Sequence, residues 1–246
     1  MKRSGQVLFG ATALLGALLT LTACAPAPEP APRITTHAPT EQEFVPTMTV
    51  EEATAQLFAA ATANDLVAAT EALKNDAQLE ARDGEGRTPL VAATKANAAA
   101  VAEALLEAGA DPNAKDNLQD SAYLYAGAEG FDEILVATLE HGADVTSTNR
   151  YGGTALIPAS EHGHVSTVKI LIDAGVPVNH INNLQWTALH EAIVLGTGSP
   201  DHVETVRLLI EGGANVTIAD GNGVLPRELA AGRGYREIVA LIDAAR

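Results

Sequence analysis

The sequence predicts an all-α solenoid of about six helix-turn-helix repeats joined by short hairpin loops, and three observations predict it. The first is a period. The segments "TPLVAA", "SAYLYA", "TALIPA" and "TALHEA" begin at Thr88, Ser121, Thr154 and Thr187, each 33 residues after the last, and one more step back reaches "AQLFAA" at Ala55. A fixed spacing of this size marks a unit that cannot bury its apolar face alone and must stack on copies of itself. The second is punctuation: nine residues beyond each start stands Asn64, Asn97, Gly130, Gly163, Gly196 or, in the last unit, Gly234. Gly and Asn close helices because they accept the left-handed conformation there. The third is a further apolar helix after each such residue. In "VSTVKILIDAG" Val165, Val168, Leu171 and Ile172 fall at i, i+3, i+6 and i+7, one helical face.

Ahead of the repeats, residues 1–23 read as an export signal: Lys2 and Arg3 precede an uncharged apolar run from Val7 to Leu21. The run ends in Leu21-Thr22-Ala23-Cys24, which resembles the lipobox of bacterial lipoproteins. That resemblance implies a lipid on Cys24, cleavage before it, and a protein anchored to the cell membrane or outer membrane on the extracytoplasmic side, periplasmic or extracellular. The competing reading is an uncleaved transmembrane anchor, since nearly twenty uncharged residues span a bilayer. Cys24 is the single cysteine. An exported chain of this kind forms no internal disulfide and relies on its core.

Residues 24–48 follow as the lipidated cysteine and a linker, "APAPEPAPRITTHAPTEQEFVPT" holding half of the chain's 12 prolines. Extended as polyproline II at about 3.1 Å per residue, it reaches up to roughly 70 Å and holds the folded part off the bilayer. Loss of residues 1–23 removes two basic groups and no acid, taking the formal charge from −16 to −18. Nucleic acid and anionic headgroups are disfavoured as partners of the folded part.

Residues 49–246 carry the repeats. The first unit lacks a hairpin lead-in. The sixth, "LPRELA" at Leu225, begins 38 residues after Thr187, the five extra residues being "TGSPD", Thr197 to Asp201. The insertion is expected to end the first helix of unit five later than in its neighbours. Asp201, with Glu204 three residues on, is expected to form a capping box for the second helix. Pro158 falls early in its helix, where a missing N–H is tolerated. Period, "TPL"/"TALH" starts, mid-repeat glycine and "GADPN"-like ends together resemble the ankyrin repeat over residues 49–246.

That resemblance gives "HE" in "TALHEAIV" a structural meaning. His190 stands at the histidine of the T-P-L-H motif, which implies a hydrogen bond near the helix start rather than catalysis. An H-E-x-x-H zinc motif fails because Val194 fills its fifth position. No nucleophile elbow, P-loop or dinucleotide fingerprint is present. The densest histidine group is His162 and His164 in "SEHGHV". An envelope hydrolase or metal-dependent enzyme using that region is the alternative of another class, and a purely structural spacer is the third. The preferred expectation is a non-catalytic, monomeric protein-interaction module with no cofactor and no metal site.

In the family, partners are held by hairpin tips and by the exposed ends of the first helices. Carried over, those positions are Gly84, Glu85, Arg87, Lys95 and Ala96 in unit two, and Asn117, Leu118, Asp120, Ala128 and Glu129 in unit three. Units four and five supply Arg150, Tyr151, Gly153, Glu161 and His162, then Asn183, Leu184, Trp186, Val194 and Leu195. Arg150, Tyr151, Glu161, His162, Leu184, Trp186, Val194 and Leu195 form the candidate partner-binding patch, since Arg, Tyr and Trp dominate interface hot spots. The competing reading is that Trp186 packs on the neighbouring hairpin and that the inserted loop covers Val194 and Leu195.

Overall fold

The structure is a computed structural model that describes residues 48–245. Cys24, the signal segment and the linker lie outside the described residues. Twelve helices among the described residues form six antiparallel pairs: α1 (Val50–Ala63) with α2 (Leu66–Lys74), α3 (Pro89–Lys95) with α4 (Ala99–Glu107), and α5 (Ala122–Glu129) with α6 (Asp132–Glu140). The series continues with α7 (Leu156–His162) and α8 (Val165–Asp173), α9 (Ala188–Val194) and α10 (Pro200–Glu211), α11 (Pro226–Gly232) and α12 (Arg236–Ala244). First helices pack on first helices along the array and second helices on second, giving two layers. Between them lies one continuous core in which Leu57, Leu90, Leu105, Leu135, Leu156, Leu171, Leu189, Leu209 and Ile238 are fully or nearly fully buried.

Short polar devices start several of the helices and stop several others. Thr88 and Ser121 accept the N–H of Val91 and Leu124 through their hydroxyls, each at 3.2 Å, satisfying one of the orphan donors of a helix start. Asn64, Asn97, Gly130, Gly163 and Gly234 take the expected left-handed conformation with φ from 52° to 75°. Gly196 does not. A Cβ there would lie 2.0 Å from the carbonyl oxygen of Ala192 and 2.2 Å from Cδ2 of His202, so close approach requires that glycine, and the left-handed turn moves to Gly198 at φ 69°.

The insertion departs from expectation in two ways. Helix α9 ends at Val194, no later than its neighbours, and it is α10 that is longer, with 12 residues against 9 in α8. Nor do Asp201 and Glu204 make a capping box. Ser199 caps α10 instead, accepting the His202 N–H at 3.4 Å, with Pro200 as the first helical residue. Proline suits that position because its missing N–H is an orphan anyway. Asp201 is therefore already inside the helix, and Glu204 pairs with Arg207.

Hairpins join the pairs, and each is built on one side chain five residues before the unit start. Asp83, Asp116, Asn149, Asn182 and Asp220 each use Oδ1 to accept the N–H groups two and four residues on, at 2.8–3.0 Å. Such turns favour Asp and Asn because their short side chains reach their own backbone. Neighbouring hairpins are also tied directly: the N–H of Asn117 donates to Glu85 O at 3.1 Å, and that of Asn183 to Tyr151 O at 3.0 Å.

Candidate functional site

On the side of the array formed by the hairpins and the first helices, a cavity of about 420 Å³ spans units three to five. Helix α5 supplies Leu124, Tyr125, Ala128 and Glu129; α7 supplies Ile157, Pro158, Glu161 and His162; α9 supplies Glu191, with Leu195 just beyond it. The hairpins add Asp120, Asn149, Arg150, Tyr151, Gly153, Asn182 and Leu184. Six of the eight candidate residues therefore share one site: Arg150, Tyr151, Glu161, His162, Leu184 and Leu195. Trp186 and Val194 do not line it. Both are half-buried, and the Trp186 backbone is engaged twice by Asn182, as donor to Oδ1 and as acceptor of its N–H.

Exposed apolar side chains recur along the hairpins, and Tyr151, Leu184 and Leu195 among them line the cavity. Leu118, Tyr151 and Leu184 occupy the same position in three successive hairpins and are 55%, 56% and 56% exposed, and Leu195 is 47% exposed. The guanidinium of Arg150 lies 4.8 Å over the Tyr151 ring and its Nη1 is 3.4 Å from Asp120 Oδ1.

Tyr125 and Glu191 were not among the candidates, yet both line the cavity, as does Pro158. All three stand four residues after their unit start. The candidate set was drawn from the helix ends, seven and eight residues in. Helical spacing places the residue three or four earlier on the same face, and that signal was available in the sequence.

Glu191 is the least ordinary of the lining groups. It is 4% exposed, and Oε1 accepts a hydrogen bond from Asn182 Nδ2 at 2.9 Å. Burial, and next the charge of Glu161, push its carboxyl up to about 7, against the opposing effects of the Asn182 bond and His162. Desolvation disfavours the charged form of an acid and a nearby like charge adds to it.

At the edge of the same cavity, units two and three show a different arrangement. Lys95 Nζ lies 2.7 Å from Asp116 Oδ2 and 3.1 Å from Asp120 Oδ2, and 5.0 Å from the centre of the Tyr125 ring. Burial alone would lower the Lys95 ammonium, but the bonds to Asp116 and Asp120 raise it above the usual lysine range. Asp116 is held below the usual carboxylate range: burial opposes this, and Lys95 together with the hairpin N–H groups outweighs it.

The histidines have structural positions. His190 Nδ1 accepts the Thr187 N–H at 3.1 Å and stands 2.9 Å from the Thr187 hydroxyl, closing the start of α9 as the repeat motif implies. His162 Nδ1 bonds to Ala128 O at 2.9 Å. The His164 ring covers Gly130, where a Cβ would lie 2.9 Å from its Cγ; His202 covers Gly163 in the same way and reaches Glu161 O through Nε2 at 2.9 Å. The inserted loop thus keeps a ring over the preceding unit's glycine. The His162 and His164 rings meet edge to face at 5.4 Å. Among the described residues no group of three or more His, Cys, Asp or Glu is placed to hold a metal ion.

The family model described as "Ankyrin repeats (3 copies)" matches residues 39–116 and 123–220. The crystal structure of an ankyrin repeat domain from Acinetobacter baumannii AYE is 55% identical, with a TM-score of 0.75 over 77% of this chain and 96% of that one. Another, of the ankyrin repeat protein EF0377, is 39% identical with a TM-score of 0.74 over 77% and 97%. The ankyrin repeat domain of Bcl-3, a unique member of the IkappaB protein family, is 25% identical with a TM-score of 0.68 over 77% and 85%. Among curated proteins, putative ankyrin repeat protein YahD of Escherichia coli (strain K12) is 47% identical over 60 residues, 24% of this chain, and the match spans 30% of that protein's length.

Proposed function

The chain belongs to the ankyrin repeat family, and from that premise we propose that it is a non-catalytic module held on the outer side of a bacterial membrane by a lipid on Cys24, binding an envelope or extracellular protein through the groove of units three to five. Ankyrin repeats are protein-interaction modules. The observation that carries the choice of site is that the exposed side chains of Tyr151, Leu184 and Leu195 line the cavity, with Leu118 exposed at the matching place in the preceding hairpin. Scattered apolar side chains are ordinary on a surface, whereas several gathered at one concavity mark a place where another surface fits. The lipobox-like Leu21-Thr22-Ala23-Cys24 supports the anchor, and the Pro-rich segment supports display away from the bilayer.

Two experiments test the reading. The mature chain is expected to begin at Cys24 with acyl chains attached and to partition into detergent, both being lost on Cys24→Ser; an unprocessed full-length chain contradicts the anchor. Intact protein extracted from its own membrane is expected to bring a partner with it. Tyr151→Ala should then weaken that partner by about thirty-fold, roughly 2 kcal/mol, as truncation of a central aromatic anchor does. Unchanged binding with an unchanged melting curve contradicts the groove.

A further inference from the structure

The cavity carries an imbalance of charge that its own residues leave uncorrected. Glu129, Glu161 and Glu191 all line it, and among the described residues none of them has an ion-pair partner. The cations nearby are committed: Lys95 to Asp116 and Asp120, Arg150 to Asp120 and the Tyr151 ring. Glu191 is the telling member because it is not a solvated surface acid. It is 96% removed from solvent, one carboxylate oxygen is bonded to Asn182, and no donor among the described residues reaches the other. A carboxylate so largely withdrawn from water is costly, since one amide donor offsets its desolvation only in part. Glu191 lines the cavity and its other oxygen is not enclosed, so water, or a donor brought from outside, can reach it.

Resting on the protein-binding reading above, we propose that the cavity receives an arginine side chain of the partner protein, its guanidinium donating to Glu191 and Glu161 and its aliphatic stem lying against Leu184 and Leu195. Charge selects a cation. Shape selects this one: a guanidinium presents a planar fork of donors that suits carboxylates. The stem of such a side chain covers apolar wall while its head stays polar, which fits a cavity that is apolar along Leu184 and Leu195 and acidic at Glu161 and Glu191. The occupant supplies the cation that Lys95 supplies to Asp116 in the neighbouring units.

The probe is a peptide pair, acetyl-Gly-Arg-Gly-amide and its citrulline counterpart, which has nearly the same shape and no charge. Each is titrated into the full-length protein in non-ionic micelles while the methyl resonances of Leu184 and Leu195 are followed. The arginine peptide is expected to shift both sets saturably and at least tenfold more tightly than the citrulline peptide, and Glu191→Gln should erase the difference without lowering the melting temperature. Equal shifts by the two peptides, no shift by the arginine peptide, or a difference that survives Glu191→Gln overturns the proposal. With the partner recovered from the membrane, weaker binding by Tyr151→Ala but not by Glu191→Gln leaves the groove reading standing and removes the arginine; no effect from either removes both.

Discussion

Two rungs of this array start from the same hairpin position and reach opposite electrostatic solutions. In unit three Asp116 spends Oδ1 on its own turn and turns Oδ2 toward Lys95 on the first helix of the preceding unit, with Asp120 completing the set. In unit five Asn182 spends Oδ1 identically, but the other arm of its side chain is an amide donor, so it faces an acid, Glu191. Replacing one oxygen by an NH₂ reverses the charge that the hairpin calls for across the groove. The first rung is closed: two acids and a cation satisfy one another. The second is open, because Glu161 adds a further acid and, among the described residues, no cation pairs with either. The turn chemistry that builds the scaffold thus also sets which rung contributes stability and which is left for a ligand.

The largest expected effect lies in the core beneath both rungs. Leu171 is fully buried at the centre of the array, and Leu171→Ala should cost roughly 2–5 kcal/mol in denaturant unfolding, from lost transfer energy and a residual cavity. A smaller loss would mean that the units are less dependent on their neighbours than the two-layer core implies. Next is the closed rung. Asp116→Ala strips two hairpin N–H groups and a half-buried lysine of their acceptor and should cost about 2–4 kcal/mol, as removal of one partner from a buried pair does. Asp116→Asn should cost less, since the turn survives and only the lysine loses its acid.

The open rung should respond with the opposite sign. Glu191 is raised in the folded protein from the ordinary glutamate value to about 7, so between those two values the folded state holds more proton than the unfolded state. Stability from this group is present in acid and lost as pH rises through about 7, leaving a penalty of roughly 3 kcal/mol at pH 8. Glu191→Gln should therefore raise stability by about that amount at pH 8 and by little at pH 4. Melting curves across that range check it, and a loss of stability at pH 8 would show the rung to be closed by some group. The smallest change expected is His190→Ala, about 1 kcal/mol from a lost helix start, visible as a modest shift in thermal unfolding with binding retained.

Most of the fold was legible because repetition amplifies weak local signals. The 33-residue spacing, the helix-ending Asn and Gly residues and the apolar stripe each recur, so errors at one unit are corrected by the others. Where the repetition breaks, local rules misled. Asp201 and Glu204 have the spacing of a capping box, but Ser199-Pro200 just upstream is a stronger start, and the helix began there. Gly196 has the expected place without the expected conformation, because His202 folds back over it. The site was partly legible for a related reason. The family positions located hairpin tips and helix ends, which brought Arg150, Tyr151, Glu161, His162, Leu184 and Leu195 to one cavity, whereas Trp186 and Val194 do not line it. Glu191 was overlooked beside the more conspicuous His190. Its significance rests on burial, on the amide of Asn182 and on the charge of Glu161, and those relations exist in three dimensions only.

The contrast between the rungs is tested most directly by titrating the side-chain carboxyl of Glu191, followed by carbon-13 NMR in the full-length protein in non-ionic micelles with no partner present. An open rung predicts a midpoint at about 7. A midpoint in the ordinary glutamate range would contradict the account, because a carboxyl that ionises normally is either well solvated or already paired, and unit five would then be as closed as unit three.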